Sequence, residues 1–309
     1  MRSSRARRLR DLFLAGCGIL LGALPVARAG EGVEGITAVS SKVSSDYVRT
    51  KLPDGSFPPE YYSFGEGGRW AGEISDATID KLSFMDVARV IAAPLAAQKY
   101  LPARDPEKTR LLIMLYWGTT AVPGPTSDSV AYSNFSMAQA DLSRVMNKQN
   151  PEPPQIQDDV MSEVSAATVQ LNMENRQRDL IDFKNAAMLG YDSEGVIGTD
   201  FGLEARRTPM KYHRDELIAE IEGNRYFVVL MAYDFQLLWK QKKHKLLWET
   251  RFSIDERRNQ FDKALLVMAQ NASQYFGQDS HGLSRMRIRE GKVEVGEPTS
   301  LGVVGAPSK

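Results

Sequence analysis

The chain has 309 residues, with 39 Lys and Arg against 39 Asp and Glu, and a single cysteine. An apolar content of 42% is too high for a disordered chain. One cysteine cannot frame a disulfide scaffold, and zero net charge excludes binding of nucleic acid by bulk charge. The length allows one large or two modest domains.

The first thirty residues read as a leader rather than as part of the fold. Arg2, Arg5, Arg7, Arg8 and Arg10 precede an apolar run over 12–26, and Ala27-Arg28-Ala29 supplies the small residues that a signal peptidase accepts. Cleavage after Ala29 is expected. That segment holds six Arg and one Asp, so the remaining 280 residues have 33 basic and 38 acidic side chains, a net charge of −5 and no cysteine. Leu14-Ala15-Gly16-Cys17 offers an alternative, a lipid anchor through Cys17. Against it, only Leu12 to Gly16 separates Cys17 from the last charge, Asp11, and most of the apolar run follows the cysteine. Arg7-Arg8 lacks the apolar pair of a twin-arginine signal. No later run approaches the length of a transmembrane helix.

Extended structure is expected over 36–64, with a turn at Pro53-Asp54-Gly55 and an edge segment from Phe57. Gly65, Gly67, Gly68 and Gly72 read as a flexible connection around Trp70. Residues 76–99 read as helical, restarted by a Ser83/Asp86 capping pair and kinked by Pro94. Arg110 to Trp117 is an apolar run suited to a central strand buried on both faces. The polar stretch over 118–157 has room for a helix near 134–147. A long helix over 157–189 is marked by Val160, Val164, Ala167, Leu171, Leu180, Phe183 and Ala187, with a solvated centre at 174–179 and a stop at Gly190. Thr208 and Pro209 open another helix that ends before Gly223. Arg225 to Trp239 reads as a strand, Lys240 to Lys245 as a basic turn, and Leu246 to Ile254 as the returning strand of a hairpin. Ser253 and Glu256 form a capping box before a last helix closed by Gly277. A final strand over 285–295 and a disordered tail over 296–309 complete the chain. The order predicts an α/β or α+β fold: a mixed sheet with a buried central strand and a C-terminal hairpin, helices packed on it, and a helical insertion at about 118–224 within a single domain over 30–295.

No nucleophile elbow, zinc-protease motif, phosphate loop or dinucleotide fingerprint is present. His213, His244 and His281 are the only histidines; His213 reads more simply as a rim or core histidine with a backbone partner, and His244 as a solvated loop residue, than as ligands. Asp279-Ser280-His281 are neighbours in sequence, which is not triad geometry. Gly65-Glu66-Gly67-Gly68 lacks the lysine of a phosphate loop. Asp76/Asp80 and Asp179/Asp182 have helical spacing for a hard cation, but such pairs are usually a solvated helix face. Lys240, Lys242, Lys243 and Lys245 make a small basic patch that fits a hairpin tip protected from edge pairing. No cofactor or metal is expected. The position singled out for a ligand is the end of the buried strand, where Tyr116 and Trp117 offer stacking area and Thr119 and Thr120 offer hydroxyls.

Several phrases resemble small bacterial envelope lipoproteins of uncharacterised function: Asp46-Tyr47, Leu95-Ala96-Ala97-Gln98-Lys99-Tyr100, Leu111 to Tyr116, Tyr233-Asp234, Trp248 and the helix after Ile254. They cover about 130 residues in two blocks; the 118–224 insertion and the poor lipobox depart from the pattern. The resemblance implies an envelope location and an α/β fold, and no activity.

These features lead to a secreted or periplasmic envelope protein that acts by binding or assembly rather than catalysis. The alternative is a small-ligand or glycan-binding protein using Tyr116, Trp117, Thr119 and Thr120. A third reading is a divergent hydrolase with a site assembled from distant residues. Envelope proteins or glycans are the partners considered; nucleic acid is not.

Overall fold

The computed structural model describes residues 33–70, 72, 75–122, 124, 126–148, 153–191 and 208–287, and of 208–214 the backbone only. The expected leader with Cys17, the tail at 296–309 and the side chain of His213 lie outside the described residues. The expected strand at 285–295 is described only to Arg287.

The strands are β1 (Ile36–Val43), β2 (Glu60–Trp70), β3 (Tyr100–Pro102), β4 (Leu111–Thr119), β5 (Arg225–Asp234), β6 (Leu246–Asp255) and β7 (Leu283–Arg287). They form one mixed sheet in the order β3-β2-β4-β5-β6-β1-β7. β2 runs parallel to β3 and β4, and the other neighbouring pairs are antiparallel. The helices are α1 (Ala77–Asp80), α2 (Phe84–Ala97), α3 (Val130–Met146), α4 (Pro154–Leu189), α5 (Thr208–Ile221), α6 (Phe235–Gln241) and α7 (Phe261–Ala272). The fold is thus an α/β fold with helices packed on a mixed sheet.

The main core lies on one face of the sheet. Leu111, Ile113, Leu115 and Trp117 of β4, with Val228, Leu230, Trp248 and Phe252, pack against Val87, Ile91 and Leu95 of α2 and Ala264, Leu265 and Met268 of α7. Both helices repeat apolar residues at three- and four-residue spacing, which puts one stripe on the sheet. α2 starts with a reciprocal capping box in which Ser83 and Asp86 each accept from the other's backbone N–H, and it continues through Pro94.

Among the described residues, the opposite face is covered by the C-terminal end of α4 and by α5. Ala186, Leu189 and Ile221 meet Ala38, Phe227 and Val229 there. The strand buried on both faces is therefore β5, over Arg225–Leu230. β4 alternates, with Leu112, Met114 and Tyr116 half-buried on this second face.

Three sequence expectations change. The glycines at 65–68 are not a connection, since β2 runs through them to Trp70. Gly65 and Gly67 stand under the β4 side chains Met114 and Tyr116: a Cβ on Gly67 would come within 2.5 Å of the Tyr116 ring. Strand β5 stops at Asp234, whose carboxylate accepts the Leu237 N–H at 2.9 Å and caps α6 where more strand was expected. Ser253 caps no helix; it is buried in β6 and its Oγ accepts from Arg225 Nε at 3.1 Å, while α7 starts after Gln260 with no side-chain cap.

Gly190 joins α4 to the sheet. Its φ is 77°, and the following N–H, of Tyr191, donates back to Ala186 O at 2.9 Å, closing the helix in a left-handed cap. A Cβ here would sit 2.7 Å from Ser40 Cβ. Gly190→Ala is expected to cost about 2 kcal/mol, from the left-handed backbone and the contact together. Urea unfolding checks this; a cost below ~0.5 kcal/mol would contradict the tight root.

Candidate interaction surface

The strand end singled out from sequence does not form a ligand wall. The Trp117 ring is 2% exposed and stacks on Phe84 at 6.4 Å within the main core. Tyr116 points to the other face, over Gly67. Thr119 Oγ1 accepts the Gly72 N–H at 2.9 Å, and Thr120 Oγ1 donates to Gly223 O and accepts from Arg225 N–H, both at 3.0 Å. Alternation along the strand separates the two rings, and the loop ends consume the hydroxyls. The sequence pattern left this face choice open.

The other candidates are also tied into the fold. Asp76 caps α1 and accepts from the Tyr226 hydroxyl, and Asp80 pairs with Arg69. His244 lies in an exposed turn, edge-on to the Tyr233 ring. His281 faces Asp279 at 3.4 Å, while Ser280 is bound to Ser41 and Gly282 backbone, so the three do not form a relay. Of the basic turn, Lys245 pairs with Asp46 at 2.5 Å and Lys242 donates to Trp239 O at 2.9 Å. Among the described residues no group of three metal-ligating side chains converges. A groove of about 440 Å³ beside Phe57 is lined by Lys51, Lys99, Gln274, Gln278, Tyr275 and Asp279. Its lining holds no histidine, so it lacks the usual base for a hydroxyl nucleophile.

The feature that sequence reading missed is an arm. α3 and α4 run antiparallel, as the Ser129–Glu174 and Asn134–Gln170 hydrogen bonds require. Thirty-six residues make α4 about 54 Å long. Among the described residues, its last turns, at Asn185, Ala186 and Leu189, are the part buried against the body. Toward α3 it presents Val160, Val164, Ala167 and Leu171, which are buried or half-buried. On its opposite side lie Ala166, Val169, Met173, Leu180, Phe183 and Ala187, all exposed. Met173 and Leu180 are each 62% exposed.

With Arg176 between them, these six positions repeat at alternating spacings of three and four, the seam by which helices interlock. The apolar marks read from sequence thus belong to two different faces of one helix. Ten of the seventeen large apolar side chains exposed among the described residues lie on α3 and α4. Scattered exposed apolar residues are ordinary; a periodic line of them marks a contact surface. In the centre of α4, expected to be solvated, Asn175, Arg176, Gln177 and Asp179 are exposed, while Glu174 accepts from Ser129 Oγ at 2.8 Å and from Arg178, which donates to Gly124 O as well.

The root of the arm carries a titrating group. The Oδ1 atoms of Asp182 and Asn185 are buried and have no hydrogen-bond partner among the described residues. Burial first, then Glu222 and Asp179, push the Asp182 carboxyl up to about 6. The folded chain therefore holds this proton more tightly than the unfolded chain, and stability falls as pH rises from about 4 to about 6. Asp182→Asn is expected to stabilise the protein by about 1 kcal/mol at pH 7.5, allowing for solvent screening, and by almost nothing at pH 4. Equal effects at both pH values in thermal melts would contradict this.

No protein-family model matches the chain, and no curated protein matches it. Among solved structures, it is similar to a PDZ domain protein from Parabacteroides distasonis ATCC 8503, at 12% identity and a TM-score of 0.36, over 82% of this chain and 38% of that one. The chain thus spans well under half of that protein, and a likeness this slight carries no argument about fold or function.

Proposed function

We propose that the protein is an exported envelope component that works by binding and assembly rather than catalysis, with the α3–α4 arm as its contact surface. One observation carries this reading: the exposed seam from Ala166 to Ala187, directly opposite the side of α4 that packs on α3. A helix that keeps apolar positions at interlocking spacing on its solvent side has a second helix-like partner to meet. Export is supported by the basic, apolar and small-residue order of the first 29 residues.

Genetic complementation tests the reading. Leu180→Asp changes an exposed position, so the variant is expected to fold and to accumulate normally. It is expected to reproduce the phenotype of deleting the whole gene. Full complementation by a stably produced Leu180→Asp chain would overturn the proposal. So would turnover in a broad hydrolase screen that survives this substitution.

A further inference from the structure

Resting on that reading of the arm, we infer that the partner on the seam is a second copy of this chain, with its α4 lying antiparallel along the first. The argument comes from the positions on and beside the seam, all of them exposed. With Met173 opposite the second copy's Arg176, Leu180 meets its Val169 and Ala166 meets its Phe183. The flanks match in the same register. Glu163 falls beside the second copy's Lys184, and Gln170 falls beside its Gln177, each twice by symmetry. A parallel pairing would instead stack Arg176 on its own copy. The antiparallel register offsets the two guanidinium groups along the axis and lays each stem against a methionine, with its head free to reach water. It also opposes the two helix dipoles. One polar residue in an otherwise apolar seam is the usual device for fixing register and orientation.

Sedimentation equilibrium on the purified protein tests this. The expected mass is twice that of one chain, and Leu180→Asp is expected to sediment as a single chain with an unchanged circular dichroism spectrum and melting temperature. Lys184→Glu is expected to weaken the dimer about tenfold, and Glu163→Lys combined with Lys184→Glu to restore it. Rescue by the double exchange is specific to these cross-pairs. A single chain at every concentration would overturn the inference. So would a Leu180→Asp variant that melts lower with no change in mass, because the seam would then be covered from within the chain. A monomer whose arm cross-links to a different protein overturns self-pairing while leaving the assembly reading intact.

Discussion

Trp248→Ala is expected to remove about 3–5 kcal/mol of folding stability, the ordinary cost of emptying a large aromatic site. Trp248 is fully buried in β6. Its ring stacks on Phe276 at 6.2 Å and lies tilted on Tyr100 at 5.6 Å, tying the end of α7 to the sheet. The indole Nε1 has no hydrogen-bond partner among the described residues, so the side chain contributes through area and shape. Trp248→Phe is therefore expected to cost less than half as much, because it removes an unsatisfied donor along with some area. Urea denaturation of the three proteins decides it. Equal losses for the two variants would mean that the indole N–H has a partner after all.

Arg49→Met is expected to cost about 3–5 kcal/mol, for a different reason. The Arg49 side chain is wholly buried. Its Nε faces Glu60 Oε1 at 3.3 Å, and its Nη2 donates to Pro58 O and Gln98 O at 3.1 and 3.0 Å. The rings of Phe57 and Tyr100 lie against the guanidinium at 4.4 and 4.1 Å. Glu60 in turn accepts from Tyr47, which is linked to Tyr100. Burial pushes both phenols above the ordinary tyrosine range, so their protons stay in the network. Removing Arg49 takes the nearer, buried cation from a nearly buried carboxylate and leaves it only the exposed Arg110, at 3.9 Å. Arg49→Met combined with Glu60→Gln is expected to recover a substantial part of the loss, which a double-mutant cycle measures. A double variant as unstable as the sum of the singles would show that the pair does not interact.

Local signals in the sequence placed many of the elements. Ser83 with Asp86, Gly190 after a long periodic run, and the apolar blocks at 110–117 and 225–234 each carry their own stop, start or period. What failed depends on neighbours far away in the chain. Glycines at 65 and 67 look like a linker until Met114 and Tyr116 are known to lie over them. Phe235 to Trp239 is as apolar as a strand, and only the Asp234 cap turns it into a helix. Trp117 and Tyr116 are adjacent in sequence yet belong to opposite faces of the sheet, so a ligand wall read from their proximity was not available to either. The seam on α4 was present in the sequence at its full spacing. In sequence, Val160 to Leu171 and Leu180 to Ala187 look like one stripe, although they face α3 and solvent respectively. The phase of the repeat changes across Glu174–Asp179, and that change is the signal that separates them.

The central claim is that the seam on α4 is a contact surface in the working protein. Placing a photoreactive side chain at Met173 in living cells tests it directly, with Lys263, exposed on α7, as the control position. The account predicts a discrete adduct of defined mass from position 173 and none from position 263. No adduct at 173, or equal labelling at both positions, would contradict it.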